Sequence, residues 1–374
     1  MKRNTLIAVI LIVIIIVVTV GAATFFFFFP PIPPAPVDNP HEVAIVFATG
    51  GLGDKSFNDG CYAGAVMAHN DFNVNFTFVE PTAIAEYEPF LRAYAEHAGL
   101  ANPYDLIISI GFDQADAIMA VAEDHPTQEF AIVDMFIDPV NYTNVRSILF
   151  SANEGSALVG ALAGIYTATG NIAFVGGMDI PLIREFAAGY FYGANITVPG
   201  IAMNATQTSF VDNAWVGDWA NPGYAETLAD GLYTTGFDII FAAAGRSGLG
   251  VIDSAVKNNA TIGPVWAIGV DSPQMYLGTA DPDNPVAPTA VLTSMLKRVD
   301  VAINQTIVQK VIGGSSIAGL SFWNLANGGV GWEMNNTLLG TNWAVSTTDQ
   351  NTIAMIAQGI INGTYTVPTD LVWL

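Results

Sequence analysis

Glu42-Val43-Ala44-Ile45-Val46-Phe47-Ala48 is a run of apolar residues that does not alternate, and Gly50-Gly51-Leu52-Gly53 follows one residue later. A strand apolar on both faces is covered on both faces. A helical stretch from about Asp59 to His69 comes next, so the unit reads strand, glycine turn, helix. The pattern recurs along the chain. Asp105 to Ile110 precedes a helix from Gln114 to Glu123, Phe130 to Asp134 is next, and Asn171 to Val175, Phe237 to Ala242 and Val265 to Val270 repeat it. Such strands alternating with helices predict an α/β fold with parallel sheets. Ligands of these sheets bind beyond the C-terminal ends of the strands. The positions to watch are therefore Gly50 to Asn58, Gly111-Phe112-Asp113, Asp134, Gly176 to Asp179, Gly245 to Gly250 and Asp271. Two sets of strands in 374 residues predict two lobes facing a cleft.

The chain carries 33 Asp and Glu against 11 Lys and Arg, a formal charge of −22, and the imbalance is a shortage of bases. Neutralising phosphates takes clustered Lys and Arg, so a nucleic-acid partner is excluded. With 52% apolar and 12% charged residues the chain buries a large core and is not disordered. Cys61 is the single cysteine, which excludes an intrachain disulfide and a thiolate cluster. His41, His69, His97 and His125 include no i, i+4 pair, so neither a histidine metal site nor a cofactor is expected.

Residues 6–29 contain no charge and follow Lys2 and Arg3. That length of helix spans a bilayer of about 30 Å, and the preceding bases orient its N-terminus to the cytoplasm. The expectation is a cytoplasmic tip (1–5), a transmembrane anchor (6–29), a Pro-rich stalk (30–40) and an extracellular domain on the cell membrane. A cleaved signal peptide is the alternative, with Gly21-Ala22-Ala23 as its cleavage region. Asn-x-Ser/Thr sequons at Asn75, Asn141, Asn195, Asn204, Asn259, Asn304, Asn335 and Asn362 are glycosylation candidates consistent with an exterior domain.

Taken singly, the post-strand residues are ambiguous. Gly50-Gly51-Leu52-Gly53-Asp54-Lys55-Ser56 is not a Walker loop, because Asp54 separates its glycines from the lysine and would repel phosphate. Phe57 and Phe186 are each a core lid or a ligand platform. Asp134 and Asp271 are each a helix cap or a ligand acceptor. Lys297 reads by itself as a solvated helix residue.

Together the segments resemble one family. Gly50 to Asn58 looks like the opening signature of the basic membrane protein family, the purine-nucleoside receptor type of ABC-transporter substrate-binding lipoproteins. Phe150 to Ser156, Gly176 to Phe186, Ala243 to Gly250, Ala267 to Asp271, Thr293 to Arg298 and Gly328 to Gly331 continue it in order, over residues 43–335. The resemblance implies a type I periplasmic-binding fold, with two Rossmann-like lobes, three crossovers and a nucleoside between them. The lobes are expected as 41–150 plus 290–316, and 151–289 plus 317–374. It also implies that Phe57 and Phe186 sandwich the base, while Asn58 and Asp134 bond its edge. Asp271 and Lys297 would hold the ribose beside Gly245, Lys297 would offset the charge of Asp271, and Asp54 would stand in the same cleft. Two departures stand out. The span and stalk replace the family's lipidated cysteine, and Arg246 occupies a turn where the family has small residues.

The implied function is a monomeric, membrane-anchored binding protein that delivers a purine nucleoside to an ABC permease. A ligand-sensing ectodomain of the same fold, or a site for another small polar ligand, is the alternative. An enzyme is not expected, since no Ser-His-Asp arrangement or acidic metal cluster is apparent.

Overall fold

Residues 41–97, 103–201 and 215–372 are described in a computed structural model of the chain. The expected span and stalk, residues 6–40, and the sequon at Asn204 lie outside them. Among the described residues no helix is long and apolar enough to cross a membrane.

The apolar runs form strands where the pattern places them. The first lobe carries β1 (Glu42–Val46), α1 (Phe57–Phe72), β2 (Asn75–Val79), α2 (Tyr87–Ala95), β3 (Leu106–Ile110), α3 (Ala115–Asp124), β4 (Phe130–Val133) and β5 (Val145–Phe150). The chain then enters the second lobe through α4 (Ala152–Tyr166). There follow β6 (Ile172–Gly176), α5 (Pro181–Thr197), α6 (Pro222–Thr234), β7 (Ile239–Ala243), α7 (Gly248–Asn259), β8 (Trp266–Asp271) and β9 (Val291–Lys297). It returns for α8 (Val299–Val311) and β10 (Gly319–Trp323), then ends in the second lobe with β11 (Val330–Trp332), α9 (Asn336–Leu339) and α10 (Thr347–Ile361). The first sheet runs β10-β5-β4-β3-β1-β2 and the second β11-β9-β8-β7-β6. All adjacent strands are parallel except β11 against β9.

Three crossings between the sheets follow from this order, after Phe150, after Lys297 and after Trp323. Two expected lobe boundaries therefore move. Residues 291–297 were assigned to the first lobe but form β9 of the second sheet, and 319–323 were assigned to the second but form β10 of the first. β9 carries polar residues that are satisfied by tertiary partners. Thr293 donates to the Glu333 carbonyl, and Ser294 Oγ bonds the Glu333 carboxylate.

Helices α4 and α5 pack backbone to backbone through glycine. A Cβ at Gly160 would fall 1.9 Å from the Tyr190 carbonyl oxygen, and one at Gly193 would fall 1.9 Å from that of Ala157. Gly160→Ala is expected to lower stability by about 1–3 kcal/mol or more through overpacking. Gly231→Ala, on α6 with nothing within 4 Å, should instead raise it by about 0.5–1 kcal/mol. Urea midpoints of the two variants, moving in opposite directions, are the check.

The sequons differ in what their amides already do. Asn141 and Asn362 are exposed. Asn75 donates its Nδ2 to Glu42, and Asn259 donates its Nδ2 to the Val265 carbonyl. Asn335 caps α9, Asn195 accepts from Gly200 N, and Asn304 buries its Oδ1.

Candidate functional site: a cavity between the lobes

The C-terminal ends of both sheets face one cavity. The first lobe lines it from the turns after β1, β3 and β4, and the second from those after β6, β7, β8 and β9. All eight residues nominated from the sequence line it: Asp54, Phe57, Asn58, Asp134, Phe186, Gly245, Asp271 and Lys297.

Lys297 is the centre of the arrangement. It is the last residue of β9 and 3% exposed, not the solvated helix residue that its neighbours in sequence imply. Its ammonium pairs with Asp134, a residue of the opposite lobe. Three rings surround the same nitrogen, with centroids at 5.0 Å for Phe57, 5.2 Å for Phe150 and 5.7 Å for Phe186. Burial alone would lower the lysine pKa, but the carboxylates of Asp134 and Asp271 outweigh it and the net shift is upward. Lys297 therefore stays charged in a nearly dry site.

The carboxylates divide by task. Asp134 is the direct partner of Lys297, where the sequence reading gave that part to Asp271. Asp271 accepts from Ser56 Oγ at 2.7 Å. Burial pushes the Asp271 carboxyl up to about 6, against the lowering effects of Lys297 and Ser56. Neither Asp134 nor Asp271 caps a helix; both are buried in the cleft with positive φ, 65° and 64°. Asp54 is spent on its own turn, its oxygens accepting from the backbone N–H groups of Ser56, Asn58 and Asp59. It organises the start of α1, and burial raises its pKa. Asn58 Oδ1 accepts from Ala48 N at 3.2 Å.

Phe57 begins α1 in the first lobe, and Phe186 lies on α5 in the second. Phe186 is also anchored against Phe241 of the core, with centroids 6.4 Å apart. Among the cavity residues without a role in the sequence reading are Phe112, Asp113 and Trp219. Phe112 and Asp113 lie in a post-strand loop already flagged as a place to look. Asp113 accepts from the Tyr87 hydroxyl at 2.9 Å, and Tyr87 in turn accepts from Thr49 N. Trp219 gave no signal, because only tertiary contact with Gly50 and Gly177 brings it to the cavity.

Residues 41–370 match the family model described as ABC transporter substrate-binding protein PnrA-like. The chain belongs to this family. It is accordingly a substrate-binding protein of the ABC-transporter type and not an enzyme. The ABC transporter nucleoside-binding protein BmpA of Lactococcus lactis is 30% identical over 336 residues, covering 88% of this chain and 89% of that protein. An uncharacterized lipoprotein of Pyrococcus furiosus is 31% identical over 297 residues, covering 78% and 69% respectively. Among solved structures, an ABC transporter solute-binding protein of Aeropyrum pernix superposes with a TM-score of 0.72 at 27% identity. That match covers 88% of this chain and 94% of the other.

Proposed function

We propose that this protein captures a purine nucleoside between its lobes and hands it to an ABC importer while tethered to the outer face of the membrane. The observation that carries this reading is the convergence of Phe57, Phe186, Asn58, Asp134, Asp271 and Lys297 on one cavity from two lobes. A purine has two broad faces, and stacking on an aromatic ring contributes about 0.5–1.5 kcal/mol per pair beyond area burial. Phenylalanines from opposite lobes supply the two faces. An ionised Asp271 accepts from vicinal ribose hydroxyls, and charge-assisted bonds of this kind are roughly twice as strong as neutral ones. Asn58 and Asp134 bond the base edge, Lys297 assists at the ribose, and Gly245 lets the backbone approach. The nucleoside-binding name of the Lactococcus lactis relative supports the ligand class. The lipoprotein name of the Pyrococcus furiosus relative supports membrane attachment, which residues 6–29 would provide here as a span.

A thermal-shift and calorimetric screen against nucleosides, free bases and pentoses tests the reading. Guanosine, inosine or adenosine should raise the melting temperature, and Phe57→Ala should weaken binding at least tenfold. A shift with a pentose and none with any nucleoside would overturn the assignment.

A further inference from the structure

Away from the crossings the lobes also meet along a seam at the mouth of the cavity that the binding chemistry above does not use. On the first lobe the seam is the turn Gly50-Gly51-Leu52-Gly53; on the second it is Trp219 and Arg246. Arg246 Nη2 donates to the Leu52 carbonyl oxygen at 2.7 Å, from one lobe to the other. The turn is built for this approach. Gly53 has φ +89°, and a Cβ there would lie 3.0 Å from Arg246 Nη2; one at Gly50 would lie 3.7 Å from Trp219 Cβ.

Three carboxylates fix the same turn from behind. Glu80 accepts from Leu52 N at 2.7 Å, and Asp59 accepts from Gly53 N at 2.6 Å. Asp54 takes the next N–H groups of α1. The Leu52 carbonyl is therefore held at one orientation, as a fixed receiver for the guanidinium. Arg246 is one of two described bases of this acidic chain that pair with no carboxylate. Among the described residues Lys55, Arg92, Arg184, Lys257, Lys297, Arg298 and Lys310 each sit within salt-bridge distance of a carboxylate. Arg146 and Arg246 have no such pair among them; Arg146 bonds the Ile317 carbonyl and Gln309, whereas the partner of Arg246 is a carbonyl of the opposite lobe.

Besides the Lys297–Asp134 pair inside the cavity, the other polar contacts of this region between the lobes lie by the crossing into α8. Ser56 bonds Asp271, Ser272 Oγ donates to the Ser56 carbonyl, and Gln274 Nε2 donates to that of Lys55. A Cβ at Gly60 would meet both Val299, the first residue of α8, and Ser272, which puts those bonds beside the crossing. Bonds next to a hinge constrain its angle weakly, because they have a short lever arm. A bond at the mouth has a long one.

We propose that Arg246 is a positioning residue that latches the cleft shut and sets the residence time of the ligand, resting on the reading above that the cavity is the ligand site. A hydrogen bond with one ionised partner is stronger than a neutral one, and one made only in the closed form acts on release more than on capture. Arg246→Ala should speed dissociation of a bound purine nucleoside about tenfold or more and change the association rate less than about threefold. Arg246→Lys, which keeps a charge and a donor, should recover part of the loss.

A second readout needs no ligand. Spin labels at Asp116→Cys and Thr227→Cys, exposed positions on opposite lobes, report the inter-lobe distance in the full chain, since Cys61 is buried. The ligand-free Arg246→Ala protein should show a longer and broader distance distribution than its parent. An unchanged distribution overturns the latch, as does a loss of affinity carried by the association rate. If no nucleoside binds the parent but the distance still lengthens in Arg246→Ala, the latch stands and the ligand reading falls.

Discussion

Asp134→Asn lowers the unfolding free energy by about 3–5 kcal/mol, the cost of leaving a buried charge without its partner. Lys297 is 3% exposed and pairs with Asp134 across the lobes, so the variant strands an ammonium among three phenylalanine rings. Asparagine is the proper substitution because Asp134 has φ +65°. Asn adopts that conformation readily, whereas Ala would add a backbone cost of roughly 1–2 kcal/mol unrelated to charge. Asp271 also acts on Lys297 and remains in place, which puts the expected value toward the lower end. The double variant Asp134→Asn/Lys297→Met removes both charges and should recover most of the loss. Urea denaturation reads both, with a lower midpoint and unchanged slope for the single variant. A single variant as stable as its parent would mean that the lysine is neutral or hydrated, contrary to the geometry.

Much of the fold was legible because it depends on a coarse signal. The strands β1, β3, β4, β6, β7 and β8 are continuous apolar runs in the sequence, and each sits fully or almost fully buried in a parallel sheet. The strands without that signal are those whose burial is arranged by distant residues. β5 contains Arg146 and Ser147, and Ser147 Oγ is satisfied by Ile137 N. β9 contains Thr293, Ser294 and Lys297, all with tertiary partners. β2 and β10 are edge strands with exposed residues and carry a weaker pattern. The misplaced boundaries at 290 and 317 come from the same cause, since reading β9 as a helix puts it on the wrong side of the crossing.

The cavity was legible in membership and less so in wiring. Residues at the ends of apolar strands converge by topology, so Asp134, Gly245 and Asp271 could be nominated without knowing a single distance. Which carboxylate pairs with Lys297 depends on the angle between the lobes, and no local pattern encodes it. Asp54 lines the cavity yet is occupied with three backbone N–H groups. That distinction between lining a site and being free to bind is also absent from the sequence. Trp219 belongs to neither apolar run nor motif, and although Leu52 and Arg246 lie in post-strand segments already singled out, their contact emerges only when the two lobes face each other.

Lowering the pH from 7 to 5 should weaken nucleoside binding about tenfold while it stabilises the ligand-free protein, and Asp271→Asn should remove its share of both effects. The two signs follow from one shift. Asp271 has its carboxyl pushed up to about 6 by burial, above the ordinary value of about 3.9 that it takes in the unfolded chain. In the proposed site, accepting from both ribose hydroxyls at full strength draws on the ionised form. Below about 6 the protein is mostly protonated at this site, and affinity falls by about tenfold for each further unit. Folding responds the other way. Between about 4 and 6 the native state holds a proton that the unfolded state has released, so stability decreases as pH rises through that window and is regained on acidification. Glu185, pushed by burial to about 7, and Asp54, Asp113 and Glu333, also raised, contribute in the same direction to folding. The raw melting curve is therefore not diagnostic, and the difference between parent and Asp271→Asn is. Asn tolerates the φ of +64° at this position. Melting temperatures with and without nucleoside, taken at pH 5, 6 and 7 on both proteins, separate the terms. Binding in the parent that does not change between pH 7 and 5 would show that the ligand does not depend on an ionised Asp271, and the ribose contact would have to be assigned elsewhere in the cavity.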